Sequence, residues 1–381
     1  MCKPDDAQLN PISKKLRDVC DLCVSLFSVS NGDSLGATRL MNSILVVQLK
    51  RLGDVILTTP ALNALRKIYP EAQITLIIDY HSAELAPAIA DVNEVLIYNR
   101  DASFNLWLDL VRRGFDLCLD FTGNDRSALV SFLSKAAQRV GFSFVAKRAI
   151  RSWVYTHLVQ STVREKHTVD HYLDLVRSLG DFGSAAGRVS LRLPDSVERS
   201  AETLRREIGL PARYFVVHPG SARPDKYWLA DRWKLVIAHA QKRLGIPCLI
   251  TGGRNPAELQ HVRDILAGTC YHSTIFNLAG KVDFLLSAAM IRGGTLFVGV
   301  DTATAHLASA FRRPELVLFG PTNPFHWHPK HPHAAVVRAG FEGPLDHFES
   351  RQKGLPMSEL STEAVIRAME VLLERFEIAT E

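Results

Sequence analysis

One stretch of the chain restricts its folding more than any other: Gly294-Thr-Leu-Phe-Val-Gly-Val-Asp-Thr-Ala-Thr-Ala-His306-Leu-Ala-Ser-Ala310. Thr295–Val300 is a short apolar, β-rich run, the pattern of a buried strand. Only Asp301 and Thr302, both good helix caps, separate it from the helix-forming run Ala303–Ala310. The segment therefore reads strand, tight turn, helix. Such a helix points unpaired backbone N–H groups and the positive end of its dipole into the crevice at the carboxyl edge of a sheet. Ala303 and Ala305 leave room for an anion at the backbone, and His306 falls one turn in, on the face of Thr302 and Ala303. The arrangement suits a diphosphate. It equally describes a capped helix with a satisfied core histidine.

The same alternation recurs along the chain. Strand patterns at Ile44–Leu49, Gln73–Ile78, Glu94–Tyr98, Leu117–Asp120 and Arg139–Phe142 alternate with helical stretches. So do Tyr214–His218, Pro247–Thr251, Ile275–Leu278, Thr295–Val300, Glu315–Phe319 and Ala334–Val337. Alternating β and α predicts parallel sheets covered on both faces. At 381 residues the chain exceeds what one hydrophobic core supports, so two such domains are expected. The linker is expected to start at Asp181-Phe-Gly-Ser-Ala-Ala-Gly187. The expected domains are an extension over 1–42, a first domain over 43–187, a second over 188–345, and a helical segment over 346–381.

Two further segments carry polar groups at strand ends. Tyr214-Phe-Val-Val-His218-Pro-Gly-Ser-Ala-Arg-Pro-Asp-Lys226-Tyr-Trp228 runs from a strand into a loop where Ser221 and Lys226 offer a hydroxyl and a cation to phosphate oxygens. It lacks the Gly-Lys-Ser/Thr ending of a Walker A loop. Ser43-Ile-Leu-Val-Val-Gln-Leu49 is a buried strand, Lys50-Arg-Leu-Gly53-Asp54 a turn, and Val55–Tyr69 a helix. Asp54 is then either the N-cap of that helix or a carboxylate presented at the rim of a second crevice.

Composition excludes several classes. A hydrophobic content of 47% with 22% charged residues describes a globular enzyme. No apolar run approaches the roughly 20 residues that span a bilayer, and no secretory signal pattern opens the chain. The six cysteines are scattered apart from Cys20-Asp-Leu-Cys23, which has no second pair at zinc spacing; a reduced, cytoplasmic compartment is expected. The net charge of +5 comes with a basic cluster, Lys147-Arg148, Arg151, Arg164 and Lys166-His167. That cluster fits either an anionic membrane or phosphorylated lipid, or simply a solvated surface. No nucleic-acid-binding motif is present. Within the extension, Ile12, Leu16, Val19, Cys23, Leu26 and Phe27 recur at helical spacing beside Lys14, Lys15 and Arg17.

The chain resembles glycosyltransferase family 9, the ADP-heptose:lipopolysaccharide heptosyltransferases. The matching pieces are Arg51-Leu-Gly-Asp54-Val-Ile-Leu-Thr-Thr-Pro-Ala61-Leu, His218-Pro-Gly-Ser with Lys226 and Trp228, Asn277-Leu-Ala-Gly-Lys281, Val300-Asp-Thr-Ala-Thr-Ala-His306-Leu, and Leu318-Phe-Gly-Pro-Thr322. They occur in order over most of the chain. Leu119-Asp-Phe-Thr-Gly-Asn-Asp-Arg-Ser127 and Val169-Asp-His-Tyr172 look most like the branch that adds a further heptose to the inner core.

The resemblance implies a GT-B fold: two Rossmann-like domains facing across a cleft, with the last helix, Ser361–Phe376, returning to the first domain. It implies inverting transfer from ADP-heptose to a lipopolysaccharide core. Asp54 would act as general base. Ser221, Lys226, Asp301, Thr302, Ala303 and His306 would bind the donor, with Glu258 for its nucleoside. Lys50, Arg51, Arg126, Arg148 and Arg151 are candidates on the acceptor side. The scheme needs no metal or other cofactor, and it places the protein against the inner membrane face. Two departures stand out: Arg254 in the turn Thr251-Gly-Gly-Arg-Asn-Pro-Ala-Glu258, and Lys353-Gly-Leu-Pro-Met357 where the family carries a cysteine. The alternatives are another nucleotide sugar or acceptor, a sugar-nucleotide epimerase of the same fold, or an inactive nucleotide-binding protein.

Overall fold

The computed structural model describes residues 41–101, 104–183, 187–268 and 274–376. Strands β1 (Ser43–Gln48), β2 (Gln73–Asp79), β3 (Glu94–Tyr98), β4 (Leu117–Asp120), β5 (Gln138–Phe142) and β6 (His157–Val159) form one sheet. Strands β7 (Phe215–His218), β8 (Cys248–Ile250), β9 (Ile275–Asn277), β10 (Leu296–Val300), β11 (Glu315–Phe319) and β12 (Ala334–Arg338) form the other. Helices α1 (Leu52–Ile68), α2 (Phe104–Arg113), α3 (Asp125–Leu133), α4 (Ala149–Ser152) and α5 (Thr168–Arg177) belong to the first lobe. Helices α6 (Asp195–Glu207), α7 (Ala230–Leu244), α8 (Pro256–Leu266), α9 (Phe284–Gly293), α10 (Ala303–Ala310), α11 (Pro324–Trp327) and α12 (Thr362–Phe376) belong to the second.

Every strand pair in both sheets is parallel. The first sheet runs β3-β2-β1-β4-β5-β6 and the second β9-β8-β7-β10-β11-β12. The two orders are the same, 3-2-1-4-5-6, the doubly wound Rossmann arrangement. Each reverses direction once, between β1 and β4 and between β7 and β10. At these switch points the chain leaves neighbouring strands toward opposite faces and opens a crevice. The central strands are almost wholly buried, which is why they read as unbroken apolar runs.

Helix α1 starts at Leu52, three residues before the sequence pattern suggests, with Arg51 in the cap position and Asp54 inside the first turn. Asp54 is therefore not the cap. The helix continues through Pro60, which has no N–H for the Ile56 carbonyl. The Thr59 hydroxyl takes that acceptor at 2.8 Å. Strand β6, absent from the sequence reading, is a three-residue edge strand with little buried surface to mark it.

The lobes share an apolar core. Leu57 and Leu62 of α1 and Tyr172 of α5 belong to the same cluster as Ala305 and Leu307 of α10 and Met290 of α9. After the linker the chain still bonds to the first lobe: Ser190 N–H donates to Thr59 (3.1 Å) and Arg192 N–H to the Ala88 carbonyl (2.9 Å).

Helix α12 departs from expectation. It does not return to the first lobe but packs on the outer face of its own sheet. Ala364, Val365, Ala368, Met369, Leu372 and Leu373 form one buried stripe with Leu316, Leu318 and Val337 of the sheet and Val236 of α7. Glu370 fixes the helix laterally, accepting from Arg243 Nε at 3.0 Å and lying 2.7 Å from His239 Nε2. That face would otherwise expose β11 and β12, so burying it there outweighs a crossing. The extension, with its helical spacing and Cys20/Cys23, lies outside the described residues.

Candidate active site

A cleft of about 930 Å³ lies where the two switch points face each other. Its walls include Arg51, Gly53 and Asp54 from the first lobe, and Ser221, Lys226, Glu258, Asp301, Thr302, Ala303 and His306 from the second. Each of these except Gly53 is a site candidate from the sequence.

On the second-lobe side, Lys226 reaches across the β7/β10 crevice. Its ammonium donates to the Asp301 carboxylate (2.6 Å) and to the Asp301 carbonyl (2.8 Å). Thr322 donates to the same carboxylate oxygen (2.7 Å). Both charged groups are largely buried, which strengthens the pair. At the start of α10 the Thr302 side chain caps no N–H; its hydroxyl pairs with that of Thr304 (2.6 Å). The N–H groups of Ala303 and Thr304 are therefore open to an anion, while that of Ala305 already donates to the Thr302 carbonyl (3.2 Å). His306 is buried on this helix, and that burial lowers its pKa, so a neutral imidazole faces the cleft.

Glu258 forms the far wall. Its Oε1 accepts the Gly253 N–H (2.8 Å) and lies 3.6 Å from His218 Nε2, while His218 Nδ1 meets Thr251 Oγ1 at 3.0 Å. A Cβ at Gly220 would sit 2.2 Å from Glu258 Oε1, so this turn needs glycine for the carboxylate to lie flat against it. Burial holds His218 toward its neutral form.

On the first-lobe side, Asp54 Oδ1 accepts a hydrogen bond from the Tyr172 hydroxyl of α5 (2.7 Å). Lys50 Nζ lies 3.4 Å from that hydroxyl oxygen and 5.1 Å from the ring centroid. Burial lowers the Lys50 pKa against the opposing pull of Asp54 and Asp120. The lobes meet tightly: a Cβ on Gly53 would lie 3.2 Å from His306 Cδ2 and 3.8 Å from Ala303 Cα. Glycine is what lets the first helix turn approach the second.

Four acceptor-side candidates stand away from the cleft walls. Lys50 is tucked behind Tyr172. Arg126 lies 3.8 Å from Asp79, and Arg148 and Arg151 both pair with Asp125 at the start of α3. Conversely, the cleft takes in His81 and Glu84, from the 3-10 segment Tyr80–Ala88, together with Thr322 and Trp327. Nothing in the spacing of His81 or Glu84 marks them. Tyr172 falls in the stretch Val169-Asp-His-Tyr172, but nothing local in that stretch marks its hydroxyl as the partner of Asp54.

Part of the basic cluster is consumed by structure. Lys166 pairs with Asp174 (2.6 Å), and His167 Nε2 meets the His328 carbonyl of the second lobe (3.0 Å). His326 Nδ1 meets the Lys166 carbonyl (3.1 Å) and Lys330 pairs with Asp170 (2.8 Å), so this edge is a seam between lobes. Among the described residues no cluster of metal-ligating side chains occurs, and no helix is long and apolar enough to cross a membrane.

The model of glycosyltransferase family 9 (heptosyltransferase) matches residues 103–355, about two thirds of the chain. The chain belongs to this family. It is 28% identical over 338 residues to lipopolysaccharide heptosyltransferase 3 of Escherichia coli strain K12, covering 84% of this chain and 95% of that one. It is 24% identical to the lipopolysaccharide core heptosyltransferase OpsX of Haemophilus influenzae, over 88% and 98% of the two chains. Among solved structures, a family 9 glycosyltransferase from Veillonella parvula superposes with a TM-score of 0.76 at 25% identity, over 89% of this chain and 100% of that one. The family 9 chain is thus a glycosyltransferase of GT-B architecture. A UDP-GlcNAc 2-epimerase from Methanocaldococcus jannaschii shares the fold alone, at a TM-score of 0.50 and 11% identity.

Proposed function

We propose that this family 9 glycosyltransferase transfers heptose from ADP-heptose to the inner core of lipopolysaccharide, with inversion at the anomeric carbon. The observation that carries the reading is the split cleft, with a carboxylate on one wall and a cation, free helix N–H groups and a neutral imidazole on the other. The relatives that match over most of their length are heptosyltransferases of lipopolysaccharide, and no feature of the cleft favours an epimerase.

On this reading the diphosphate lies against Lys226, Ser221 and the start of α10, where developing negative charge is stabilised. His306 donates a hydrogen bond to it. Asp301 orients Lys226 and faces the sugar, and Glu258 faces the nucleoside. Asp54 takes the proton of the acceptor hydroxyl from the opposite side. Arg51 is the acceptor-side cation on the cleft wall. The scheme uses no metal, so turnover should survive EDTA.

The acceptor is a membrane lipid, so the protein works at the cytoplasmic face as a peripheral protein. We assign that contact to the exposed basic residues Lys147, Arg148 and Arg164 and to the exposed Trp153. Incubation with ADP-heptose and a panel of truncated lipopolysaccharide cores tests the reading: one core should gain the mass of a heptose. Donor consumption without any acceptor would point to an epimerase instead. Failure of anionic vesicles to retain the protein at low salt would remove the membrane contact while leaving the transfer reading in place.

A further inference from the structure

A carboxylate that must collect a proton at one point in space has to be aimed, and an aspartate side chain turns about two bonds. We propose that Tyr172 is the positioning residue for Asp54, holding Oδ1 so that Oδ2 serves the acceptor hydroxyl, with Lys50 fixing Tyr172 from behind. The proposal rests on the reading of Asp54 as the base and adds two residues to it.

The geometry supports this at each step. Tyr172 is 1% exposed and comes from α5, 118 residues along the chain from the aspartate it touches. Its ring is locked edge-on against Phe121, with centroids 5.6 Å apart and planes at 89°. Its single proton goes to Asp54 Oδ1. Asp54 Oδ2 accepts no hydrogen bond among the described residues, yet Asp54 lines the cleft. Burial, and then the neighbouring Asp54 charge, push the Tyr172 pKa well above its ordinary value, so the phenol stays a donor at any working pH. The Lys50 ammonium sits over the ring and near the hydroxyl oxygen, where it favours the lone pairs pointing its way and the proton pointing at Asp54.

A buried phenol has to find some partner, so one hydrogen bond alone would be ordinary packing. What sets this one apart is its acceptor, a cleft-lining carboxylate with its other oxygen unengaged. The titratable groups facing Asp54 are Lys50 from its own turn, Tyr172 from α5 and His306 from α10, with Asp120 and His171 behind Lys50.

The test is Tyr172→Phe in the full chain, which keeps the ring and removes the donor. Turnover should fall about tenfold, since a small loss of aim at a reacting group is costly. KM for the nucleotide sugar should stay within about twofold of the wild-type value. Added to Asp54→Asn, Tyr172→Phe should cost nothing more, because the two act as one unit. Wild-type turnover in Tyr172→Phe, or a further loss when it is added to Asp54→Asn, would overturn the proposal. Near-normal turnover in Asp54→Asn alone would instead sink the base reading, so the two failures are distinguishable. If Tyr172→Phe does not fold, Lys50→Met answers the question: loosening the phenol from behind should lower turnover severalfold with KM for the nucleotide sugar kept, and unchanged turnover rejects the role of Lys50 and with it the proposal.

Discussion

The two halves of the cleft are built on the same strand order but hold their charges in opposite ways. In the second lobe the charged groups are satisfied: Lys226 by Asp301, whose carboxylate also accepts from Thr322, and Glu258 by a backbone N–H beside His218. In the first, Asp54 is held by a neutral phenol, and the nearest cation touches that phenol rather than the carboxylate. A closed network suits a surface that must receive a charged ligand with little rearrangement, since the cation is already held in place when the anion arrives. A carboxylate with one free oxygen suits proton transfer, because a direct salt bridge would make it a weaker base. One topology thus supports an electrostatic cradle on one side and a base on the other, and the difference lies in a few side chains at the strand ends.

The sharpest way to break this contrast is to neutralise the first half alone. Asp54→Asn keeps the shape and still accepts from Tyr172. Turnover should drop by about 10²-fold or more with ADP affinity nearly unchanged by calorimetry. Equal losses in both quantities would erase the division of labour.

Next comes the reverse experiment. Lys226→Ala removes the cation and leaves Asp301 to Thr322, so donor affinity should fall by about 10- to 100-fold, the worth of a charge-assisted contact of roughly 1.5–3 kcal/mol. Unchanged donor affinity would take Lys226 out of the phosphate site.

A third experiment separates both halves from the seam that joins them. Burial lowers His167 to about 2 and His171 to about 4, against 6.5 when free. Above pH 6.5 both states of the chain hold these rings neutral and stability is at its full value. Below it the unfolded chain takes up protons the folded chain refuses, so stability falls with pH, by about 1.4 kcal/mol per pH unit for each histidine while only the unfolded form is charged. Melting should therefore decline from pH 6.5 to 4.5, and His167→Asn, which keeps a capping side chain for α5, should flatten the slope. An unchanged slope would show that His167 does not control it.

The smallest expected effect is at the point of closest approach. Gly53→Ala should gain a few tenths of a kcal/mol from helix propensity but push into His306, for a net loss of about 1 kcal/mol. A rise in melting temperature would mean the lobes yield there freely.

Much of the fold was legible in the sequence. All six strands of the second sheet and five of the first follow from apolar runs, because strands buried on both faces have no other way to be written. Strand β6 was not legible, since an edge strand of three residues buries too little to leave a pattern. The docking of α12 was not legible either. Its amphipathic stripe shows that the helix packs, but which of two apolar surfaces receives it depends on what else covers them. The cleft candidates at 221, 226, 301–303 and 306 share one wall because each follows a strand at a single switch point. The contact of Tyr172 with Asp54 and the place of His81 in the cleft were not legible, because both depend on contacts between distant segments, which no local spacing records.

The repeated 3-2-1-4-5-6 order has a consequence for how chains of this kind diversify. The groups on each wall follow the strands of a separate sheet, and the lobes meet through the chain that joins them, a glycine contact, a shared apolar core and the polar contacts of Lys166, His167 and Asp170 with the second lobe. What one lobe binds is therefore encoded apart from what the other binds. A lineage can rewrite the loops after β1 to β6 to accept a new partner while the nucleotide-facing half passes on untouched, and an engineer who grafts such a half needs to preserve only the seam.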